Sequence, residues 1–302
     1  MPEKPEFSKA EDANSYNDYA LDYGRYISRL AEPLASRICD LASLKLADRV
    51  LDVGCGTGVS TRQAAARVGG KGHVTAIDLS AGMVEVTRSM DTGACPTELL
   101  VMDAEHLDFP DRSFDALISL CAILHFPDLE AFVKEAGRVV KPGGRVVVSF
   151  GQSRPDQLPL KLKHYAKRIL QSLSKPHQFA PAFLLDIASK YVPEDHNHNN
   201  DVLTPWSRHN PKQKIEAALS GAGFKDVSAQ WYGHDVYFST AQDYWDAQMS
   251  IVTEFRKRAD RVSPQSLLNL KAEFLERAQD TLDKNGSLVY PYGALFISAT
   301  RV

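Results

Sequence analysis

The stretch RVLDVGCGTGVS, residues 49–60, decides the fold of this chain. The apolar residues Val50, Leu51 and Val53 predict a buried parallel strand, which ends in three closely spaced glycines before the pattern turns helical. Glycine is required where a turn adopts backbone angles that side chains resist, and where a ligand lies directly against the backbone. Strand, glycine turn and helix together predict a nucleotide-binding unit.

The spacing of the glycines separates two classes of cofactor. A dinucleotide-binding turn has the form G-x-G-x-x-G, whereas this turn has the form G-x-G-x-G and continues with Val59. The run LDVGCGTG resembles the first motif of class I S-adenosylmethionine (SAM) dependent methyltransferases. That resemblance implies that Asp52 helps to hold the amino group of SAM, directly or through water. It assigns the methionine half of SAM to the turn residues Gly54, Cys55, Gly56 and Gly58.

Composition bounds the remaining possibilities. At 302 residues and 44% hydrophobic content, the chain can bury an α/β core of about 200 residues with added elements. A net charge of −3 argues against nucleic-acid binding. No apolar run approaches the roughly 20 residues that span a bilayer, and the polar start is no secretory signal. Four cysteines without C-x-x-C pairing predict reduced thiols, a cytoplasmic location and no metal site.

Four tyrosines near the start have a 3-4-3 spacing that predicts one helical face: Tyr16, Tyr19, Tyr23 and Tyr26. We expect the first fifteen residues to be frayed or loosely docked, and a second helix over residues 33–44. The tyrosine stripe is either a docking surface or part of a lid over the cofactor. Tyr16 and Tyr23 are the lid candidates, because the sequence from Ser15, SYNDYALDYGRYISRL, loosely resembles the Y-D-x-x-A-x-x-Y-D opening of the UbiE-like group of methyltransferases.

The predicted second strand, His73 to Ile77, ends at Asp78, about 20 positions beyond the glycine turn. A carboxylate there can accept hydrogen bonds from both ribose hydroxyls of a nucleoside. The alternative role, capping the next helix, suits Ser80 better. Leu79 and Met83 either contact the adenine or belong to the core.

The predicted third strand, residues 97–102, ends in Asp103 and Ala104. The resemblance assigns the Asp103 carboxylate to the adenine amino group and the Ala104 backbone to a ring nitrogen. Two further segments, residues 109–115 and the K-P-G-G turn at residues 141–144, are typical of the UbiE-like, or type 11, methyltransferases. The resemblance is continuous from residue 50 to residue 142.

The segment after strand four, residues 119–126 (SLCAILHF), lies where this architecture places the transferred methyl group. Leu120 there is a candidate cofactor contact. The segment has neither the D/N-P-P-Y tetrapeptide of amide methyltransferases nor the Pro-Cys of cytosine C5 enzymes, which favours a small-molecule acceptor. His125 either faces the cofactor, acts as a base or has a structural role; His164, His177 and His234 are other candidate bases.

These observations predict that the chain is organised in six segments. We expect N-terminal lid helices over 1–45, a SAM-binding core over 46–151, a helical lid over 152–210, the last core helix and strand six over 211–232, a second helical insertion over 233–290, and the last strand over 291–302. The lids carry two aromatic groups, Phe179, Phe183, Tyr191 and Trp206, and Tyr244, Trp245 and Phe255. Such lids suit a hydrophobic or aromatic acceptor, although these helices could merely pack together or form a homodimer. The acidic and histidine-rich run 194–201 has the residue types of a metal site, but it has no apolar framing, and we expect a solvated loop there.

The sequence therefore predicts a doubly wound, mostly parallel, seven-stranded Rossmann-like sheet with helical insertions. Its expected activity is SAM-dependent methylation, at carbon or oxygen, of a small molecule of isoprenoid, quinone or secondary-metabolite type. Two alternatives stay open. One is a cyclase that binds SAM without transferring its methyl group, and the other is an NAD-dependent oxidoreductase, against which the glycine spacing argues.

Overall fold

The computed structural model describes residues 8–17, 19–89, 91–153, 176–192, 204–252, 255, 259 and 262–302. The chain divides into two compact units. Unit 1 comprises Met1–Gln152, Asn200–Tyr232 and Gly293–Val302, and unit 2 comprises Ser153–Asn199 and Gly233–Tyr292. Within the described ranges, no helix is both long and apolar enough to cross a membrane.

The strands are β1 (Arg49–Val53), β2 (His73–Asp78), β3 (Thr97–Val101), β4 (Phe114–Ser119), β5 (Val140–Gly151), β6 (His177–Phe179), β7 (Phe224–Phe238) and β8 (Ser287–Arg301). The helices are α1 (Lys9–Asn17), α2 (Ala20–Leu41), α3 (Val59–Val68), α4 (Ala81–Arg88), α5 (Leu129–Val139), α6 (Ala182–Ala188), α7 (Pro211–Gly221), α8 (Ala241–Ile251) and α9 (Pro264–Asp283). Short 3-10 turns include Gly69–Lys71, Ile123–His125 and Pro205–Arg208.

The sheet of unit 1 confirms the predicted doubly wound architecture. In the described part of the chain the sheet has eight strands, one more than the seven predicted, in the order β3-β2-β1-β4-β5-β8-β6, with β7 paired to β8. The additional strand, β6, pairs parallel with the first residues of β8, within unit 2. The pairs among β1 to β5 are parallel, whereas β8 runs antiparallel to β5. The apolar strands β1 and β4 are buried because helices cover both faces of a parallel sheet. The carboxyl ends of β1, β2, β3 and β4 therefore meet at one edge, where open sheets of this kind bind ligands.

Several strand boundaries differ from the expected ones. Strand β7 continues to Phe238, beyond the expected end at residue 232, and β8 begins at Ser287, before the expected start at residue 291. Strand β4 begins at Phe114, inside the segment 109–115, and strand β5 continues through the K-P-G-G turn at residues 141–144. Phe114 pairs with Val140, and the register then shifts before Ala116 pairs with Arg145. The irregularity absorbs the turn within one strand.

The amino-terminal region is more ordered than we expected. Residues 9–17 form a docked helix, so the expectation of fifteen loose residues is wrong for the part that the structure describes. The tyrosine stripe is not one helix, because α1 ends at Asn17 and α2 begins at Ala20. The two helices expected around Pro33 are instead the single helix α2, with Pro33 inside it.

Burial explains why α2 continues through a proline. An interior proline costs a helix about 3 kcal/mol. Helix α2 fully or almost fully buries four large aliphatic side chains, Ile27, Leu30, Leu34 and Ile38. Each contributes about 1.5–3 kcal/mol on burial, so packing outweighs the cost of the proline.

Unit 2 has its own aromatic core. Tyr244 lies at its centre, and its ring packs near those of Phe183, Phe238 and Phe274. The Tyr244 hydroxyl donates to the carbonyl oxygens of Gln178 and Val289, at 3.0 and 3.1 Å, which satisfies its buried polar atom. Unit 2 is thus a folded layer with a packed interior.

The aromatic cluster expected in the first insertion is wrong. Phe183 belongs to the core of unit 2, but Phe179 is exposed, and the Tyr191 hydroxyl donates a hydrogen bond to Glu273 Oε2. Trp206 belongs to unit 1, where its indole N–H donates to the Phe126 carbonyl oxygen at 2.7 Å. The candidate base His164 and the run 194–201 lie outside the described residues.

Candidate functional site

The glycine turn between β1 and α3 contains two glycines with different reasons for lacking a side chain. Gly54 and Gly56 both have positive φ, at 67° and 55°. A Cβ at Gly54 would lie 2.3 Å from the Ala122 Cβ, so close packing excludes it. A Cβ at Gly56 would meet nothing within 4 Å. Gly56 therefore leaves open space beside the backbone, where a ligand can approach.

Hydrogen bonds hold this turn in place from two neighbouring elements. The Thr87 hydroxyl on α4 donates to the Gly56 carbonyl oxygen at 2.7 Å, and Asp78 Oδ2 accepts the Gly56 N–H at 2.9 Å. The amides of Gly54 and Cys55 donate to the Ile77 carbonyl oxygen. Sequence reasoning missed Thr87, whose signal was a threonine on the buried face of an amphipathic helix. The turn is consequently preorganised.

Asp78 lies at the end of β2 and bridges two turns. Its Oδ1 accepts the Ser80 N–H at 2.9 Å, while Oδ2 accepts that of Gly56. Burial raises the pKa of the Asp78 carboxyl, and these two backbone donors partly oppose the rise. Each oxygen can accept a further bond. As predicted, Ser80 is the cap of α4, since its Oγ accepts the Met83 N–H.

Asp52 is fully buried in β1. Its Oδ2 accepts hydrogen bonds from Ser60 Oγ at 2.8 Å and Thr61 Oγ1 at 2.7 Å, which fixes the first turn of α3. Among the described residues, Oδ1 has no hydrogen-bond partner. Burial raises the pKa of the Asp52 carboxyl to about 6. An unsatisfied buried acceptor is costly, and a donor supplied by a ligand would remove that cost.

Asp103 follows β3 and contacts the amino-terminal helix. Its Oδ2 accepts from the Lys9 ammonium at 2.7 Å, and its Oδ1 accepts the Glu105 N–H at 3.0 Å. Lys9 also forms an ion pair with the buried Glu105. Burial raises the pKa of the Asp103 carboxyl, but these donors outweigh it and the net shift is downward. Lys9 and Glu105 were not predicted from the sequence.

The other residues expected near an adenine or a methyl group lie on the loops after β2, β3 and β4, except Met83, which lies in the first turn of α4. Ala104 and Met83 are buried, whereas Leu79 and Leu120 are half-buried. Leu79 directly follows β2, and Leu120 directly follows β4. All four therefore lie at or near the carboxyl edge of the sheet.

His125 lies in the 3-10 turn after β4, and ring contacts link it to the two lid candidates, Tyr16 on α1 and Tyr23 on α2. Its Nδ1 is 2.8 Å from Asp12 Oδ2. The His125 ring meets the Tyr16 ring edge-on at 5.9 Å, and Tyr16 meets Tyr23 edge-on at 6.3 Å. Sequence reasoning named these three rings but missed Asp12. The other described candidate bases, His177 and His234, belong to unit 2.

These groups are chemically suited to the SAM that the sequence implies. Gly56 leaves the backbone open to a ligand, Asp52 Oδ1 is a buried acceptor with no partner among the described residues, and Asp78 keeps acceptor capacity for hydroxyls. Buried carboxylates also favour a ligand that carries positive charge.

Comparisons with known proteins point the same way. The profile of the methyltransferase-domain family matches residues 51–148. Aklanonic acid methyltransferase DauC of Streptomyces sp. (strain C5) is 30% identical over 181 residues, covering 59% of this chain and 82% of that protein. The ubiquinone/menaquinone biosynthesis C-methyltransferase UbiE of Pseudomonas paraeruginosa is 29% identical over 192 residues, covering 63% and 70%.

A third relative matches more locally, and a solved structure matches over most of its length. The 2-methyl-6-phytyl-1,4-hydroquinone methyltransferase of Synechocystis sp. is 41% identical over 130 residues, covering 42% of this chain and 40% of that protein. A protein described as a methyltransferase from an antibiotic biosynthesis pathway of Anabaena variabilis has a TM-score of 0.53 at 18% identity, covering 89% of this chain and 96% of that one. This last likeness shows a common fold.

Proposed function

Because this chain belongs to the class I SAM-dependent methyltransferases of the UbiE-like group, we propose that it methylates a small hydrophobic or aromatic acceptor at carbon or oxygen. The open backbone at Gly56, flanked by Asp78, carries the assignment of the SAM site. The acceptor class is supported by relatives, since the names of two specify quinone or hydroquinone chemistry and one specifies C-methylation.

Each predicted site residue has a role in binding SAM. Asp78 accepts from the ribose hydroxyls, Asp52 accepts from the amino group directly or through water, and Asp103 accepts from the adenine amino group. The Ala104 backbone contacts an adenine ring nitrogen. The methionine half lies along the turn, and apolar contacts come from Leu79, Met83 and Leu120. Tyr16 and Tyr23 close over the bound molecule.

Bound SAM supplies a methyl group that its sulfonium has already activated. The chain must therefore align the acceptor with the carbon–sulfur bond, exclude water, and remove a proton from an acidic acceptor. His125 lies in the turn after β4, where the transferred methyl group is expected, and its ring contacts that of Tyr16, so it is the candidate base.

The insertions 152–210 and 233–290 recognise the acceptor in this proposal, whereas residues 1–45 cover the cofactor. The aromatic interior of unit 2 supports a rigid apolar surface for such recognition. We also propose a cytoplasmic location, which the four free cysteines support. A homodimer through the helical insertions would be tested by light scattering on the purified protein.

A methyl-transfer assay tests the function. The protein is incubated with SAM labelled on its methyl group and a panel of quinols, phenols and isoprenoids. We expect label in at least one organic-soluble product whose mass increases by one methylene unit. Binding of SAM with no transfer to any acceptor class would favour the cyclase alternative, and transfer to nucleic acid or protein alone would refute the acceptor class.

A further inference from the structure

Helix α1 buries a single residue, and that residue is a carboxylate. Asp12 is 8% exposed, while the other described residues of α1 are half-buried or exposed. Burying a carboxylate is costly unless it is paired and hydrogen-bonded. Asp12 Oδ2 lies 2.8 Å from His125 Nδ1, across 113 residues of sequence. The pair therefore joins the amino-terminal helix to the loop after β4.

The pair favours one tautomer of the imidazole ring. With Asp12 ionised, its carboxylate can only accept hydrogen bonds, and Nδ1 of His125 is then the donor. A neutral ring then carries its lone pair on Nε2, which is the nitrogen available to take a proton. The edge-on Tyr16 ring, 5.9 Å from that of His125, further restricts the orientation of the imidazole.

The loop that carries His125 lies against the glycine turn. Ala122, three residues before His125, is the residue that a Cβ on Gly54 would strike at 2.3 Å. Burial has the largest effect on the Asp78 carboxyl and raises its pKa, whereas the positive charge of a protonated His125 would lower that pKa. His125 is thus close to the groups assigned to SAM.

We propose that Asp12 is a positioning residue that holds His125 with Nε2 unprotonated, so that Nε2 removes the proton of the acceptor during methyl transfer. The inference rests on the proposed function. The O–H or C–H bond of the acceptor breaks and its proton goes to Nε2. At a hydroxyl or an acidic saturated carbon, the electron pair of that bond forms the new bond to the methyl carbon. At a quinol ring carbon, the proton taken by Nε2 comes from the phenolic O–H, a ring π pair forms the new carbon–carbon bond, and the ring C–H proton passes to water as aromaticity returns. In each case the pair of the broken carbon–sulfur bond stays on sulfur. The proton of His125 later passes to solvent.

The docking of α1 therefore places Asp12 where it can orient the imidazole of His125. Two other contacts hold the helix at the same edge of the sheet: Lys9 pairs with Asp103, and Asn17 Oδ1 accepts from the Ser80 hydroxyl and the Gly82 amide at 2.7 and 2.9 Å. Because Asp12 is on α1 and His125 is on the core, the imidazole is oriented only while α1 is in place. An undocked α1 would leave the ring free to adopt either tautomer.

The test compares Asp12→Asn with Glu11→Gln in the full chain. Both changes neutralise one carboxylate of α1, but Glu11 is exposed and is the matched control. The first measurement is the tautomer of His125, read from long-range proton–nitrogen NMR correlations of histidine-labelled protein saturated with S-adenosylhomocysteine. His125→Gln assigns the signal. The second is the kinetics of methyl transfer to 1,4-naphthoquinol.

The two measurements have defined outcomes. We expect His125 to be protonated at Nδ1 in the wild type and in Glu11→Gln, and to lose that preference in Asp12→Asn. We expect kcat to fall about 100-fold in Asp12→Asn, with the KM for SAM unchanged, and no further in the double variant with His125→Gln. A wild-type ring protonated at Nε2, or the same tautomer in all three proteins, overturns the inference. A protein that shows the expected tautomers but methylates nothing overturns the proposed function instead.

Discussion

At the residue scale, the carboxylate at the end of β2 has two tasks. Asp78 holds the glycine turn and the start of α4 through backbone amides, and it keeps acceptor capacity for the ribose. Asp78→Ala should weaken S-adenosylhomocysteine binding by about 1.5–3 kcal/mol, the range for a hydrogen bond to a charged group. Calorimetry measures the loss.

The 2′-deoxyribose analogue of S-adenosylhomocysteine is the control for this change. If Asp78 contacts the ribose, Asp78→Ala should cost the analogue less affinity than the natural ligand, because one partner is already missing. Equal losses for the two ligands would mean that Asp78 acts only through the turn.

A second residue-scale prediction concerns pH. Burial raises the pKa of Asp52 from 3.8 to about 6, since the hydroxyls of Thr61 and Ser60 oppose burial only in part. The folded state therefore holds this proton more tightly than the unfolded chain. The stability contributed by Asp52 is fully present below about pH 4 and is lost as the pH rises through about 6. Asp52→Asn should remove that part of the pH dependence of the free energy of unfolding, measured by urea denaturation without ligand.

Asp108→Asn is the matched control, because Asp108 is an exposed carboxylate. It should leave the pH dependence as in the wild type. A wild-type slope in Asp52→Asn between about pH 4 and pH 6 would contradict the assigned burial of the Asp52 charge.

Asp52, which the sequence predicted, has hydrogen-bond partners nearby in the chain, whereas Lys9 and Asp12, which it did not predict, have distant partners. Asp52 is eight and nine residues from Ser60 and Thr61, so one motif contains the whole arrangement. Lys9 and Asp12 have partners 94 and 113 residues away, and each lies in a short polar helix without a periodic pattern. Only the folded sheet edge brings these partners together, so no local pattern could reveal them.

At the element scale, α1 is held by polar contacts rather than by an apolar face. Lys9→Gln removes its ion pairs with Asp103 and Glu105. A partly exposed pair such as Lys9–Asp103 contributes up to about 1 kcal/mol, which corresponds to about fivefold faster hydrogen exchange of the α1 amides, and the loss of a partner for the buried Glu105 adds to this effect. Lys134→Gln, a change at an exposed position of α5, is the control. Unchanged exchange over residues 9–17 in Lys9→Gln would show that other contacts dock the helix.

Element boundaries were predictable where apolar periodicity and glycine agree, as in β1, α3 and β2. They were not predictable at the amino terminus. Pro33 signals the start of a helix, but the buried face from Ile27 to Ile38 makes α2 continuous through it. That face stabilises the helix only by packing on the core, and this packing cannot be read from the local sequence.

At the scale of the whole molecule, every described residue assigned to SAM lies within Met1–Gln152, which belongs to unit 1. Phe274, fully buried in unit 2, is surrounded by the rings of Phe183, Tyr244 and Trp245. Phe274→Ala should destabilise unit 2 by about 3–5 kcal/mol. We expect methyl transfer to fall while the affinity for S-adenosylhomocysteine is retained.

Leu268→Ala, at an exposed position of α9, is the control and should change neither quantity. Loss of S-adenosylhomocysteine binding in Phe274→Ala would contradict the proposal that unit 1 binds the cofactor independently of the interior of unit 2. The fold class of unit 1 followed from the sequence because its motifs are contiguous. The interior of unit 2 did not, since its aromatic contacts join residues from both insertions.

The central claim is that the glycine turn holds SAM, and calorimetric titration with S-adenosylhomocysteine of the wild type and of Gly56→Ala tests it most directly. A methyl group on Gly56 projects into open space, so the variant should fold at a cost of about 1–2 kcal/mol for its left-handed backbone angle. We predict one-to-one binding by the wild type and at least a tenfold weaker affinity, about 1.4 kcal/mol, in the folded variant. Equal affinities, or a wild type that binds NAD and not S-adenosylhomocysteine, would contradict the account.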